Sequence, residues 1–253
     1  MIKRKTRNLN SVFNYLLSRN FKSFVAPIEN QKGNYYLMPY IENLEMPREQ
    51  KMRDLIIFLA LLHNKTTYFK EIDPDYYKEI YEELKEKADY AKKYYYDLIN
   101  YIETEIYMSP FEYLLARNIN KVLAATDYAL FVLDMWYEKI STLKKVRTVT
   151  LHGNLELDHF LKNNEGFFIS WEKTYQGMPI YDLIDLYNRH WQEFDFVDIF
   201  DLYEEKYPLR EEERLLLSVY LTIPKIINID FNEYEICKEL TLLLDYLYKT
   251  EEI

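Results

Sequence analysis

A change of hydrophobic period at Lys144-Lys145 constrains what this chain can fold into more than any other feature. Before it, apolar residues recur at three- and four-residue spacing, the signature of one helix face; after it, over 146–171, they come in short extended runs. The helical part carries readable starts. Pro47 suits the first turn of a helix over 47–62, and Asp73-Pro74 caps and opens a long, charged, tyrosine-rich helix over 74–105. Ser109-Pro110-Phe111-Glu112 reads as a capping box with proline at the first helical position, opening a helix that lasts to about residue 141. Its Leu115, Ile119, Val122, Ala129, Leu133, Trp136 and Ile140 fall on one stripe, so this helix is expected to run through a core.

In the extended part, 146–151 is a strand that ends at His152-Gly153-Asn154, and 159–161 pairs with 166–171 across the turn Lys162-Asn163-Asn164-Glu165. Two or three helices complete the pattern, at 180–191, 210–221 and 232–249. Residues 1–45 look like a small mixed lobe: a helix over 8–18, then strands over 24–29 and 35–41 joined by the turn signal Asn30-Gln31-Lys32-Gly33-Asn34. The expected fold is α+β and mostly helical, with a small lobe at 1–45 and one packed helical lobe at 46–253. No repeat, low-complexity segment or flexible linker interrupts it.

Composition excludes several functions. A net charge of −10 disfavours general nucleic-acid binding and favours a small cationic ligand or a basic protein partner. No run approaches the roughly 18 uninterrupted apolar residues of a membrane helix, and the basic start lacks the apolar run of a signal peptide, so the cytoplasm is the expected location. The single cysteine, Cys237, sits among Ile236, Leu240 and Leu243 and reads as a buried packing residue. Twenty-six tyrosines stand against four glycines; their hydroxyls either snorkel to solvent or line a contact surface.

Leu151-His152-Gly153-Asn154-Leu155-Glu156-Leu157-Asp158-His159 resembles the His-Gly-Asp motif, with Asn five residues later, of the aminoglycoside phosphotransferase and choline kinase superfamily. Ile169-Ser170-Trp171-Glu172 is similar to that family's Ile-Asp-Trp-Glu, and Gly177-Met178-Pro179-Ile180-Tyr181-Asp182-Leu183 to the glycine, proline and Asp-Leu that follow. Leu59-Ala60-Leu61-Leu62-His63 looks like its Leu-Ala-x-Leu-His helix end, and Tyr35-Tyr36-Leu37-Met38-Pro39-Tyr40-Ile41 like its last small-lobe strand and hinge. Within the superfamily the chain is most similar to bacterial spore-coat-associated kinase-like proteins, which implies a kinase-like two-lobed fold and a spore-associated location. The specific part is confined to 151–186, where the motifs follow one another in the family's order.

The resemblance also implies what is missing. Phosphoryl transfer relies on a carboxylate that takes the proton of the attacking hydroxyl, and on Asn and Asp side chains that hold magnesium ions. At the base position stands Asn154, an amide that is no general base near neutral pH. At the two metal positions stand His159, a poor ligand for a hard cation, and Ser170, which lacks the charge. Glu172 keeps the family's second acidic residue, as a residual cation ligand or a solvated carboxylate. No glycine precedes Gly33, so the small lobe offers no glycine-rich phosphate loop and reads as truncated; Lys3, Arg4 and Lys5 read as a solvated terminus. His152 is expected to steady its turn through backbone hydrogen bonds, Asp182 to brace the same loop, His63 to suit a helix C-terminus as a cation, and His190 to lie on a helix face.

Three functions follow. The first is a kinase-like protein without catalysis, with no cofactor, acting by binding a protein partner or small cationic ligand. The second is a divergent Mg-ATP-dependent phosphotransferase acting on an alcohol or amine, using Asp158, Glu172 or Glu156 in place of the lost carboxylates. The third abandons the family for a helical interaction module built on the tyrosine-rich helix; it requires that no hairpin form at 159–171.

Overall fold

The computed structural model describes residues 2–4, 7–28 and 35–253, with the side chains of 2–4 and of Tyr36 excepted. The turn at 30–34, the last residue of the expected 24–29 strand, and Lys5 lie outside the described residues. The chain gathers into two compact units, each made of two stretches of sequence: 1–70 with 145–209, and 71–144 with 210–253.

The first unit begins with β1 (Ile2–Arg4) and α1 (Asn10–Ser18). Helix α1 stops because Asn20 adopts a left-handed φ of 55°, which lets the Phe21 N–H reach back to the Leu16 carbonyl at 2.9 Å. Strand β2 (Tyr35–Leu37) pairs antiparallel with β1, Lys3 opposite Tyr36. The expected pairing of 24–29 with 35–41 is met at its described edge, where the Ile28 N–H donates to the Leu37 carbonyl at 2.8 Å; the β1 partner of β2 was not expected. Phe24 stacks on Phe13 at 5.1 Å and meets Trp171 edge-on at 6.2 Å, and its backbone bridges to residue 168.

After α2 (Arg48–Thr66) and β3 (Tyr68–Glu71), the unit resumes at β4 (Lys145–Leu151), the middle strand of a sheet in the order β3-β4-β7. Strand β7 (Tyr175–Gly177) runs antiparallel to β4, Leu151 opposite Tyr175. Between them lies the hairpin of β5 (Phe160–Lys162) and β6 (Gly166–Phe168), with Phe160 opposite Phe168. Two helices follow, α5 (Ile180–His190) and α6 (Phe196–Lys206), the latter packed on α2. Sequence reading missed α6. Its Phe, Val, Ile and Tyr residues have modest helix propensity, and the burial of Phe196, Ile199, Phe200 and Tyr203 makes the helix worth forming.

The second unit is helical: α3 (Pro74–Ile102), α4 (Pro110–Thr142), α7 (Glu211–Thr222) and α8 (Glu233–Thr250). Helix α4 is its centre and touches the other three; its predicted stripe from Leu115 to Ile140 is buried throughout. Its start is a capping box: Ser109 Oγ accepts from the Glu112 N–H at 3.3 Å, and Glu112 accepts from the Ser109 N–H at 2.6 Å. Asp73 caps α3 and Asn232 caps α8 without the reciprocal bond, their side chains accepting from the Tyr76 and Glu235 N–H groups. Cys237 is half-buried and not fully buried as expected, because it sits one step around α8 from the buried row Ile236, Leu240 and Leu243. Among the described residues no helix is long and apolar enough to cross a membrane.

Candidate functional site

The segment that carries the motifs is assembled around one buried carboxylate. Strand β4 delivers His152 and Gly153 to the start of a loop, and α5 places Asp182 in its first turn. Asp182 Oδ2 accepts from the His152 N–H and Oδ1 from the Gly153 N–H, both at 2.8 Å. A third N–H comes from α2: His63 Nε2 stands 3.2 Å from Asp182 Oδ2, and the Tyr203 hydroxyl of α6 is hydrogen-bonded to His63 Nδ1 at 2.6 Å. The carboxylate thus joins β4, α2, α5 and α6. His63 lies in the last turn of α2, as expected, and is fully buried in this network.

Gly153 has a φ of +70°, and a Cβ there would stand 2.4 Å from the Lys173 carbonyl oxygen. Both facts demand glycine, since the loop and the turn after the hairpin touch through their backbones. Thr174 closes the same contact, its hydroxyl donating to the Leu151 carbonyl at 2.6 Å.

His152 is enclosed by Trp171 (ring centroids 4.8 Å apart) and Phe168 (5.4 Å). Its Nε2–H donates to the Ile169 carbonyl at 2.8 Å, and Nδ1 is buried without a hydrogen-bond partner. Burial pushes its pKa down to about 4, with Asp182 opposing the shift, so the ring is neutral in neutral solution.

The positions the resemblance assigned to chemistry are held in other ways. The Asn154 carbonyl accepts from His159 Nδ1–H at 2.8 Å, so the imidazole at one metal position ties down the backbone of the base position. Ser170, at the other, occupies the left-handed region (φ 68°, ψ 50°) and precedes the short turn Trp171–Lys173 that carries the half-buried Glu172. Glu156 is paired with Arg189, which also bonds Asp185 at 2.8 Å, and lies 3.3 Å from His190 Nε2. His190 lies on a face of α5, as expected, and that face is buried against carboxylates. Asp158 is exposed and supports the charge of Lys51, whose pKa burial lowers. Among the described residues no three His, Cys, Asp or Glu side chains converge on a point where a metal ion would sit.

The hairpin is pinned from the amino-terminal side as well. Phe168 N–H donates to the Ser23 carbonyl (2.9 Å), Leu44 N–H to the Lys162 carbonyl (2.8 Å) and Lys162 N–H to Asn43 Oδ1 (2.9 Å). Arg7 reaches the Thr174 carbonyl at 2.7 Å. Sequence reading missed Tyr203 and the inward role of His63; the only local signal for the latter was its place at the end of Leu59-Ala60-Leu61-Leu62-His63.

No family model matches the chain, and no curated protein sequence does. Solved structures do. An aminoglycoside phosphotransferase from Alicyclobacillus acidocaldarius aligns over 99% of this chain and 83% of its own, with 10% identity and a TM-score of 0.67. A spectinomycin phosphotransferase, solved with ADP and spectinomycin, aligns over 100% and 86% at 15% identity and a TM-score of 0.48. A choline kinase from Streptococcus pneumoniae aligns over 99% and 78% at 15% identity and a TM-score of 0.47. The third functional reading fails its own condition, because the 160–168 hairpin is formed. With its strand, His-Gly loop, hairpin and Asp182-bearing helix in the order the resemblance implied, the chain has the kinase-like fold of an aminoglycoside phosphotransferase.

Proposed function

We propose that this chain is a kinase-like protein without phosphotransfer activity, a pseudokinase that acts by binding. The observation that carries the reading is the His159–Asn154 bond: a side chain at a metal position serves as a structural pin on the backbone of a base position that holds only an amide. Phosphoryl transfer depends on charge, from a base carboxylate and from anionic or amide oxygens on magnesium. Here the loop is kept in shape by Asp182, His63 and Gly153 while the carboxylates at positions 154 and 170 and the amide oxygen at 159 are absent. Of the carboxylates that could substitute, Glu156 is committed to Arg189 and His190, which supports the reading further. A spore-associated site of action belongs to the same proposal and rests on resemblance alone.

The test is to incubate the purified chain with magnesium and nucleotide labelled on its terminal phosphate, with panels of alcohol and amine acceptors. No transfer is expected, and no thermal shift with Mg-ATP. Transfer that is lost on replacing Asp158 or Glu172 with alanine would overturn the proposal in favour of a divergent phosphotransferase. A variant carrying Asn154→Asp, His159→Asn and Ser170→Asp separates lost charge from lost pocket: Mg-ATP binding regained there assigns the silence to these three side chains.

A further inference from the structure

The helical unit exposes apolar surface that its own packing does not use. The α3–α4 connection carries Ile106 and Tyr107, each 88% exposed, followed by exposed Met108. The segment before α8 adds Ile229, Phe231 and Tyr234 at 47%, 48% and 73% exposure. Hydrogen bonds bring the two stretches to one end of the unit. The Phe111 N–H, in the first turn of α4, donates to Glu233 Oε1 in the first turn of α8 at 2.6 Å. The Tyr94 and Tyr95 hydroxyls of α3 donate to the Ile227 and Lys225 carbonyls at 2.8 and 2.5 Å. With α4 and α8 both side-chain capped at this end, the patch stands on well-defined helix starts.

Its charge is predominantly acidic. Residues 103–117 and 225–238 contain six acidic side chains (Glu103, Glu105, Glu112, Asp230, Glu233 and Glu235) against Arg117, Lys225 and Lys238, a net of −3. Exposed aromatic and aliphatic side chains rimmed by an excess of one sign of charge mark an interaction surface and state the sign of its occupant. A second copy of the chain would set this negative excess against itself, and an anionic lipid surface would be repelled likewise. A cationic segment gains on both counts, since ammonium and guanidinium groups pair with the carboxylates and lie over tyrosine and phenylalanine faces. We propose that this end of the helical unit docks a lysine- and arginine-rich segment of a partner protein, its apolar residues seated on Ile106, Tyr107 and Phe231. The inference does not rest on the pseudokinase reading and survives or fails without it.

The experiment titrates the full chain with a fluorescent peptide of alternating Lys, Arg and Leu, and with its counterpart in which Glu replaces Lys and Arg. The basic peptide is expected to bind and the acidic one not to. Ile106→Ser with Tyr107→Ser should weaken binding by about tenfold or more. Glu103→Gln with Glu105→Gln should weaken it and flatten its salt dependence. Glu79→Gln with Glu86→Gln, which remove the same charge from exposed positions of α3 away from the patch, should leave affinity within about twofold. Equal losses from the two charge pairs, or no loss from the Ile106 and Tyr107 variant, would overturn the proposal. So would dimerisation, or capture by phosphatidylglycerol vesicles, that requires Ile106 and Tyr107 while the basic peptide does not.

Discussion

Residues 1–70 and 145–209 carry 18 Lys and Arg against 17 Asp and Glu, a net of +1, whereas 71–144 and 210–253 carry 14 against 25, a net of −11. The acidity of the whole chain therefore resides in the helical unit. The unit that holds the His152 loop is balanced, so an expectation of cationic ligands drawn from the total of −10 attaches to the other unit. The two also differ in what holds them. In the first, one carboxylate accepts N–H groups from two elements, and a third element backs it through Tyr203. In the second, long helices meet along apolar stripes, and the side-chain caps of α3 and α4 by Asp73 and Ser109 are local. A shared polar hub concentrates risk in one side chain, while a distributed apolar interface spreads it.

That contrast can be broken most forcefully at Asp182. Asp182→Ala strands two backbone N–H groups and one imidazole N–H in a buried site, and should cost at least about 3 kcal/mol by urea denaturation. Amide exchange should accelerate first at His152 and Gly153; acceleration confined to α3 and α4 would show that the hub does not hold its unit.

The next effect is a pH dependence. His152 titrates near 4 when folded and near its ordinary 6.5 when unfolded, so the unfolded chain binds the extra proton between these values. Stability should then fall as pH drops from about 6.5 to about 4, by up to roughly 3 kcal/mol at about 1.4 kcal/mol per unit. Comparing His152→Gln with the parent chain isolates the contribution: the fall should be shallower in the variant, and parallel curves would refute the assignment. The smallest effect is expected at Ser109→Ala. This removes a cap from the longest helix but should cost only about 1 kcal/mol, because α4 is held chiefly by its buried stripe. A loss as large as that of Asp182→Ala would mean that the helical unit also depends on a single point.

The parts legible from the sequence were those whose causes lie within a few residues of one another. Asp73-Pro74 and Ser109-Pro110-Phe111-Glu112 named the starts of α3 and α4, because a cap satisfies N–H groups two or three positions away. The 160–168 hairpin was legible in its alternation and turn, and Gly153 in its place at the strand end. The pairing of Tyr35–Leu37 with Ile2–Arg4 was not, because the two strands lie far apart in sequence, and neither was the bridge from Phe24 to Phe168, which accompanies the packing of Phe24 on Phe13 and Trp171. Nor was α6, whose residues favour a helix only once packed.

The sequence by itself determined the order of helices and strands, their capped starts and the identity of the side chains at the loop, since these depend on short-range hydrogen bonding and covalent order. Only the tertiary structure decided that His63 and Tyr203, 140 positions apart, would meet beside Asp182, that His159 would bind the Asn154 backbone, and that the acidic residues would divide so unevenly between two units. Such pairings are chosen by which buried donors and acceptors can be satisfied together, and that competition is settled only when the whole chain packs.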